Sequence, residues 1–369
     1  MKGDLLSERG RGKICLISLD NKKSTDFSHI ADLADSLAAC GYYCDKISRV
    51  AYNEPDLIVS AFADGLDNFE NVVVLCPFGM KNTVSDFFSA RLNGTFDALG
   101  VLNGGAVTVY IVFFDGENRL RIADLKETLD KKYGVKYEKT VLRAVGVPKK
   151  LLEGALLKAG GIFGAGEAFF NVKEVYDDFK IEIVYSSNMP KIALDEGVRE
   201  IVKALNDYIY ALEDITLAEQ LYRLLKLRRM KISVAESFTG GGIGKRLVEV
   251  SGISEVYFEG LNTYANGAKT GRLGVGELTL AQRGAVSAET AYQMAEGLLN
   301  TGNCEVAVSS TGIAGPKSDN TSKPVGLAYI GVGVEGDIAV YKFNFTGGRR
   351  AITEKAINHA LFLAYKKLK

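Results

Sequence analysis

At 369 residues, with apolar side chains making up 47%, the chain is too long for one ordinary domain and can bury a core in each of two or three. Lys plus Arg equals Asp plus Glu at 45 each, which leaves no basic excess to hold nucleic acid or an anionic membrane. Only His29 and His359 are histidines, and Cys15, Cys40, Cys44, Cys76 and Cys304 are odd in number and irregularly spaced, so a zinc site and a disulfide framework are both set aside.

The thiols read as reduced, as in a cytoplasm. The opening MKGDLLSERGRGKICLISL is too short and interrupted for a signal peptide, and no segment offers the ~20 apolar residues of a membrane span. The expectation is a soluble cytoplasmic protein.

In chain order, Lys13–Leu19 reads as a strand and Phe27–Cys40 as a helix. Asn71–Cys76 (NVVVLC) and Val107–Phe114 are continuous apolar runs of the kind buried parallel strands carry. Residues 1–134 are therefore expected to be a doubly wound α/β domain. Lys136–Ala144 and Ile181–Ser186 read as strands, with helices at Pro148–Lys158 and Gly197–Leu205. They define a small α+β connecting module, 135–206.

The rest, 207–369, is again α/β. A helix at Thr216–Arg228 precedes a strand, Lys231–Ala235, which runs into Glu236-Ser237-Phe238-Thr239-Gly240-Gly241-Gly242 and a helix, Ile243–Val250. Tyr257–Tyr264 is a strand and Ala288–Leu299 a helix with Ser287 as its N-cap. Val306–Ser310 ends in Thr311-Gly312-Ile-Ala-Gly-Pro316. Val325–Val332 and Ile338–Phe345 can pair as a hairpin before a last helix, Ala351–Leu368.

A serine on a glycine-rich strand-to-helix turn stands where open α/β sheets bind ligands, beside free helix N–H groups suited to an oxyanion or a phosphate. Read alone, Ser237 and Thr239 are equally a pair of turn caps. Asn262-Thr-Tyr264-Ala-Asn266-Gly-Ala-Lys269 places a lysine one helical turn past a strand end. With no convenient histidine, Lys269 could serve Ser237 as base if burial lowers its pKa by about 3 units, or ~4 kcal/mol. A solvated surface lysine is the plain alternative. Arg349, in Phe345-Thr-Gly-Gly-Arg349-Arg350, could clamp a phosphate or be a solvated cap.

The order of these motifs resembles a known family. AES-x-TGG, TYANxAK with LGV (Leu273–Val275), GAVS (Gly284–Ser287), S-x-TGIAGP, KPVG (Lys323–Gly326) and F-x-G-x-R are similar to the CinA C-terminal domain, over essentially all of Tyr208–Lys369. The resemblance implies an amidohydrolase that converts nicotinamide mononucleotide to nicotinate mononucleotide and ammonia, without a cofactor. It puts the nucleophile on Ser237, the base on Lys269, an accessory tyrosine on Tyr264, a loop hydroxyl on Thr311 and a phosphate-binding arginine on Arg349. Glu236, Thr239, Gly240, Gly241, Asn266 and Gly312 are expected at the substrate, and no metal. N–H groups of the Gly240–Gly242 turn, with Thr311, are expected to hold the oxyanion. A homodimer is implied.

Three positions depart from the family pattern. Phe238 replaces the usual Cys and is expected to narrow the pocket. Gly348 replaces an acidic residue, and Thr353 a second arginine. The region from Lys13 to about Gly134 resembles, in degenerate form, the molybdopterin-binding-like domain of full-length CinA proteins. Of its usual loop only Gly79, Thr83 and Asp86 match. Metal-dependent ADP-ribose or nucleotide pyrophosphatase chemistry there is an alternative with most of its groups missing, and a divalent metal is not expected. A non-catalytic competence- or DNA-damage-related partner-binding protein is the other alternative.

Overall fold

A computed structural model of the chain describes residues 13–38, 40–115, 122–134, 136–164, 168–318 and 322–369. It is a mixed α/β structure with three sheets. Contacts divide it into two compact units: 1–140 with 153–171 and 182–201, and 141–152 with 172–181 and 202–369. No helix among the described residues is long and apolar enough to cross a membrane.

The first unit opens with β1 (Ile14–Asp20), α1 (Ser28–Ala38), β2 (Cys44–Ala51), α2 (Pro55–Asn68), β3 (Asn71–Cys76), α3 (Lys81–Leu92), β4 (Val101–Asn103), β5 (Thr108–Phe113) and α4 (Ile122–Tyr133). Its sheet order is β2-β1-β3-β5-β4, parallel except for β4. Every residue of β1, β3 and β5 is buried, because helices cover both faces. Ile17 and Val74 pack with Phe62 and Phe88 on one face; Leu16 and Val73 pack with Leu33, Leu37 and Leu129 on the other. This is the doubly wound arrangement read from the sequence.

The chain continues through β6 (Tyr137–Val145), α5 (Lys149–Phe163), β7 (Ala168–Val175), β8 (Asp178–Ser186), α6 (Lys191–Leu205) and β9 (Ile209–Ala211). Their sheet order is β7-β8-β6-β9. The chain passes from one unit to the other within β6, α5, β7, β8 and α6.

The second unit carries α7 (Leu217–Arg228), β10 (Ile232–Glu236), α8 (Gly242–Val248), β11 (Tyr257–Asn262), α9 (Asn266–Leu273), α10 (Glu277–Arg283), α11 (Ala288–Leu299), β12 (Val306–Gly312), β13 (Leu327–Val334), β14 (Asp337–Asn344) and α12 (Arg349–Leu368). A capping box of Thr216 and Glu219 starts α7, and the Ser287 side chain caps α11 by accepting from the Thr290 N–H. The sheet order is β11-β10-β12-β13-β14, with β13 and β14 a hairpin antiparallel to the rest.

Alternation along β10 and β12 sets the two faces. Ile232, Val234, Val306 and Val308 face α7 and α12, whereas Ala235 and Ala307 pack with Leu273, Met294 and Leu298 of α9 and α11. Strand β12 runs two residues beyond the expected Ser310, so Thr311 and Gly312 are strand residues paired with Tyr329 and Ala328 rather than parts of a turn.

Candidate active site

In the second unit's sheet β10 lies between β11 and β12, parallel to both. Its connections leave to opposite sides, so a crevice opens at its carboxyl end. Ser237 is the next residue. The Ser237 N–H donates to the Ser310 carbonyl at 3.0 Å and the Thr263 N–H donates to the Glu236 carbonyl at 2.8 Å, extending the ladder one step past the strand. Thr239 Oγ1 and Ser310 Oγ are 2.7 Å apart, a second brace on the turn. Left-handed backbone at Gly240 (φ 63°) and Gly241 (φ 93°) then reverses the chain into α8.

Lys269 sits in the first turn of α9 and is only 1% exposed. Its Nζ lies 3.1 Å from Ser237 Oγ, 2.8 Å from the Thr263 carbonyl and 3.0 Å from the Tyr264 carbonyl. Burial lowers its pKa from the ordinary 10.5. A neutral amine has two N–H donors and one lone pair. The two carbonyls accept those donors, which leaves the third tetrahedral position, on the serine side, for the lone pair. Ser237 itself is 8% exposed, and Lys269 Nζ is the hydrogen-bond partner of its hydroxyl among the described residues.

Glu236, expected at the substrate, is 2% exposed and committed elsewhere. Its carboxylate accepts from the N–H groups of Gly241 (3.1 Å), Ile243 (3.0 Å) and Gly244 (2.8 Å), filling the N-terminus of α8. Tyr257 packs behind it. A methyl group on Gly244 or Gly260 would come within 2.6 or 2.2 Å of the Tyr257 hydroxyl, so both glycines make room for that ring.

The glycine N–H groups are not free for an oxyanion, which corrects the sequence reading. Gly240 donates to the Ser237 carbonyl, Gly241 to Glu236 and Gly242 to the Thr239 carbonyl. The turn closes on itself because its donors have acceptors within it. Thr311 Oγ1 likewise donates to the Ala285 carbonyl at 2.6 Å and can only accept from a ligand.

Tyr264 contributes its main-chain carbonyl to Lys269, while the residue is 62% exposed. Asn266 is exposed on α9 and lines a groove of about 390 Å³ with Gly267, Thr270, Gly271, Glu277 and Leu280. Gly312 is a packing glycine: a methyl there would meet the Leu327 carbonyl, Ala328 and the Phe238 ring at 2.9–3.0 Å. Arg349 opens α12 and donates to the Gly315 carbonyl at 2.7 Å. Thr353 turns its hydroxyl onto the Arg349 and Arg350 carbonyls inside the helix. Phe238 is buried in an apolar cluster, so its ring does not narrow the crevice as expected.

Sequence reading missed Ser310, although alternation puts it opposite Thr311, on the face where Thr239 waits. It could not have found the Thr263, Tyr264 and Ala285 carbonyls, since main-chain acceptors leave no mark in residue type.

In the first unit, Gly79 lies in a short helical turn at 78–80, and Thr83 and Asp86 are exposed on α3. The polar cluster there is a different one. His29 Nε2 lies 2.9 Å from Asp20 Oδ2, with Ser18 Oγ and Arg49 Nε at 3.3 and 3.5 Å from the same oxygen. Among the described residues no three His, Cys, Asp or Glu side chains are grouped to hold a metal ion.

A buried serine–lysine pair thus stands at the switch point of an α/β sheet. Residues 214–368 match the CinA C-terminal domain. A Caldicellulosiruptor saccharolyticus protein named for competence-damage induction is 41% identical over 195 residues, 52% of this chain and 47% of that protein. A Clostridium beijerinckii protein of the same name is 47% identical over 166 residues, 45% of this chain and 40% of that one. The chain thus spans under half the length of these relatives. Among solved structures, a competence/damage inducible protein from Agrobacterium tumefaciens is 38% identical over 41% of this chain and 93% of that one, with a TM-score of 0.39.

Proposed function

We propose that the second unit hydrolyses the carboxamide of nicotinamide mononucleotide, giving nicotinate mononucleotide and ammonia. The observation that carries this reading is the placement of Lys269 Nζ, with two carbonyls on its donors and Ser237 Oγ at 3.1 Å.

Neutral Lys269 takes the Ser237 proton as Oγ bonds to the carboxamide carbon. Among the described residues the N–H groups of Phe238 and Thr239 have no acceptor, and they are the donors we assign to the oxyanion. Thr311 Oγ1, acceptor only, suits the carboxamide N–H. The Lys269 ammonium returns the proton to the leaving nitrogen, the C–N bond breaks and ammonia departs. Lys269 then deprotonates a water that cleaves the acyl–serine ester and frees the carboxylate. Arg349, at the positive end of α12, holds the phosphate. Gly348 strengthens that end, since no carboxylate stands beside it.

Ammonia release from nicotinamide mononucleotide, measured with EDTA present, tests the reading. Release by the wild type that vanishes in Ser237→Ala, with binding retained, is expected. A metal requirement, or full activity in Ser237→Ala, would sink it.

A further inference from the structure

We infer that Phe238 is a positioning residue that ties the nucleophile's turn to Arg349; the inference rests on the amidohydrolase reading, with Arg349 at the phosphate. Phe238 follows Ser237 directly and is 5% exposed. It belongs to one buried cluster with Ala314, Ala328, Phe345, Ile352 and Ala356.

Three of those partners lie next to Arg349, itself exposed, or next to its acceptor. Phe345 lies four residues before it and Ile352 three after, so the main chain that carries the arginine is held on both sides by the cluster. Ala314 precedes Gly315, whose carbonyl accepts from the Arg349 guanidinium at 2.7 Å. Both the backbone of Arg349 and the acceptor that aims its side chain therefore rest on groups packed with the residue next to the nucleophile.

Small residues make the room. A methyl on Gly312 would come within 3.0 Å of Phe238 Cε1, and alanines occupy positions 314, 328 and 356. A close-packed aromatic ring transmits displacement rather than absorbing it. Shrinking it should loosen the arginine's segment while Lys269, which lies on the other face of the sheet, keeps its contacts with Ser237.

The experiment uses the whole protein with Phe238→Ala, Phe238→Leu and Phe238→Cys, each combined with Ser237→Ala for binding. Calorimetry compares nicotinamide mononucleotide with nicotinamide riboside, which lacks the phosphate, and hydrogen exchange follows residues 345–352. Phe238→Ala is expected to weaken the mononucleotide about tenfold, leave the riboside within about twofold, and speed exchange at 345–352, with Phe238→Leu restoring both. A loss shared equally by the two ligands, or unchanged exchange, overturns the inference. If Ser237→Ala alone binds neither ligand, the amidohydrolase reading fails and exchange decides by itself: faster exchange keeps the tie and unchanged exchange removes it. Should Phe238→Ala not fold, Phe238→Cys gives the same readings at smaller amplitude.

Discussion

The first and second units each contain a five-stranded sheet in which the first strand lies between the second and third, all three parallel: β2-β1-β3 and β11-β10-β12. In both, the last residue of that first strand is a buried carboxylate, Asp20 or Glu236. The two are answered differently. Asp20 meets side chains, with His29, Ser18 and Arg49 converging on one oxygen. Glu236 meets main chain, with three N–H groups from the turn and helix that follow.

The glycines cause the difference. Gly240 and Gly241 adopt left-handed backbone that folds the start of α8 back over Glu236. The segment after β1 has no such turn; Asn21 Oδ1 accepts from the Lys23 N–H, and α1 begins only at Ser28. When backbone satisfies the carboxylate, the side chains at the strand end remain available, and Ser237 and Lys269 are those side chains. When side chains satisfy it, the strand end is closed by its own ion pairs.

The largest expected effect separates the two ends outright. Lys269→Ala should lower ammonia release by about a thousandfold or more, as loss of a base acting on a nucleophile does. Asp20→Asn, at the matching position of the first unit, should leave release within about twofold. A comparable loss in Asp20→Asn would break the contrast and bring the first unit into the chemistry.

Much of this was legible in the sequence. Continuous apolar runs such as Asn71–Cys76 marked the central strands, because parallel strands covered on both faces need no polar alternation. The strand read at Tyr257–Tyr264 and its passage into a helix put Lys269 one helical turn beyond a strand end; the strand stops earlier, at Asn262, and Lys269 lies in the first turn of α9. What was not legible is how donors are shared. Glycine N–H groups look available in a sequence and are consumed here by Glu236 and by the turn's own carbonyls. Burial of Phe238 was equally hidden, since it depends on Ala314 and Ala328, which are distant in the chain. Strand β7 escaped notice because its last three residues, Lys173, Glu174 and Val175, are exposed and break the apolar run.

A next, smaller effect sharpens the comparison of carboxylates. Glu236→Gln keeps one accepting oxygen and turns an amide N–H₂ toward backbone donors, leaving buried groups unpaired. The expected cost is about 2–4 kcal/mol, localised to the second unit. Asp20→Asn should cost less, because Arg49 is partly exposed and its contact is 3.5 Å. Hydrogen exchange in β10 and in β1 reads the two sheets separately. Equal losses would mean that main-chain and side-chain partners hold a buried carboxylate equally well here.

The smallest effect concerns stability and follows from the Lys269 pKa. Burial lowers it in the folded state from 10.5, its value when the chain is unfolded. Between the folded pKa and 10.5 the unfolded chain binds one more proton at this site than the folded one. Stability therefore rises with pH across that window, by up to about 1.4 kcal/mol per unit, and this contribution is lost as pH falls. Lys269→Met removes the group, so the variant should gain on the wild type as pH is lowered through the window, whatever its offset from the two carbonyls left without donors. Activity at limiting substrate should move the same way as wild-type stability, rising with pH as the amine loses its proton. Denaturant midpoints of the two proteins between pH 6 and pH 9, a span chosen below the ordinary ~10.4, decide the matter. Parallel pH dependence would mean that Lys269 is an ammonium when folded and cannot take the serine proton; a widening gap toward low pH would mean that the fold holds it neutral, at a cost that the serine–lysine pair puts to use.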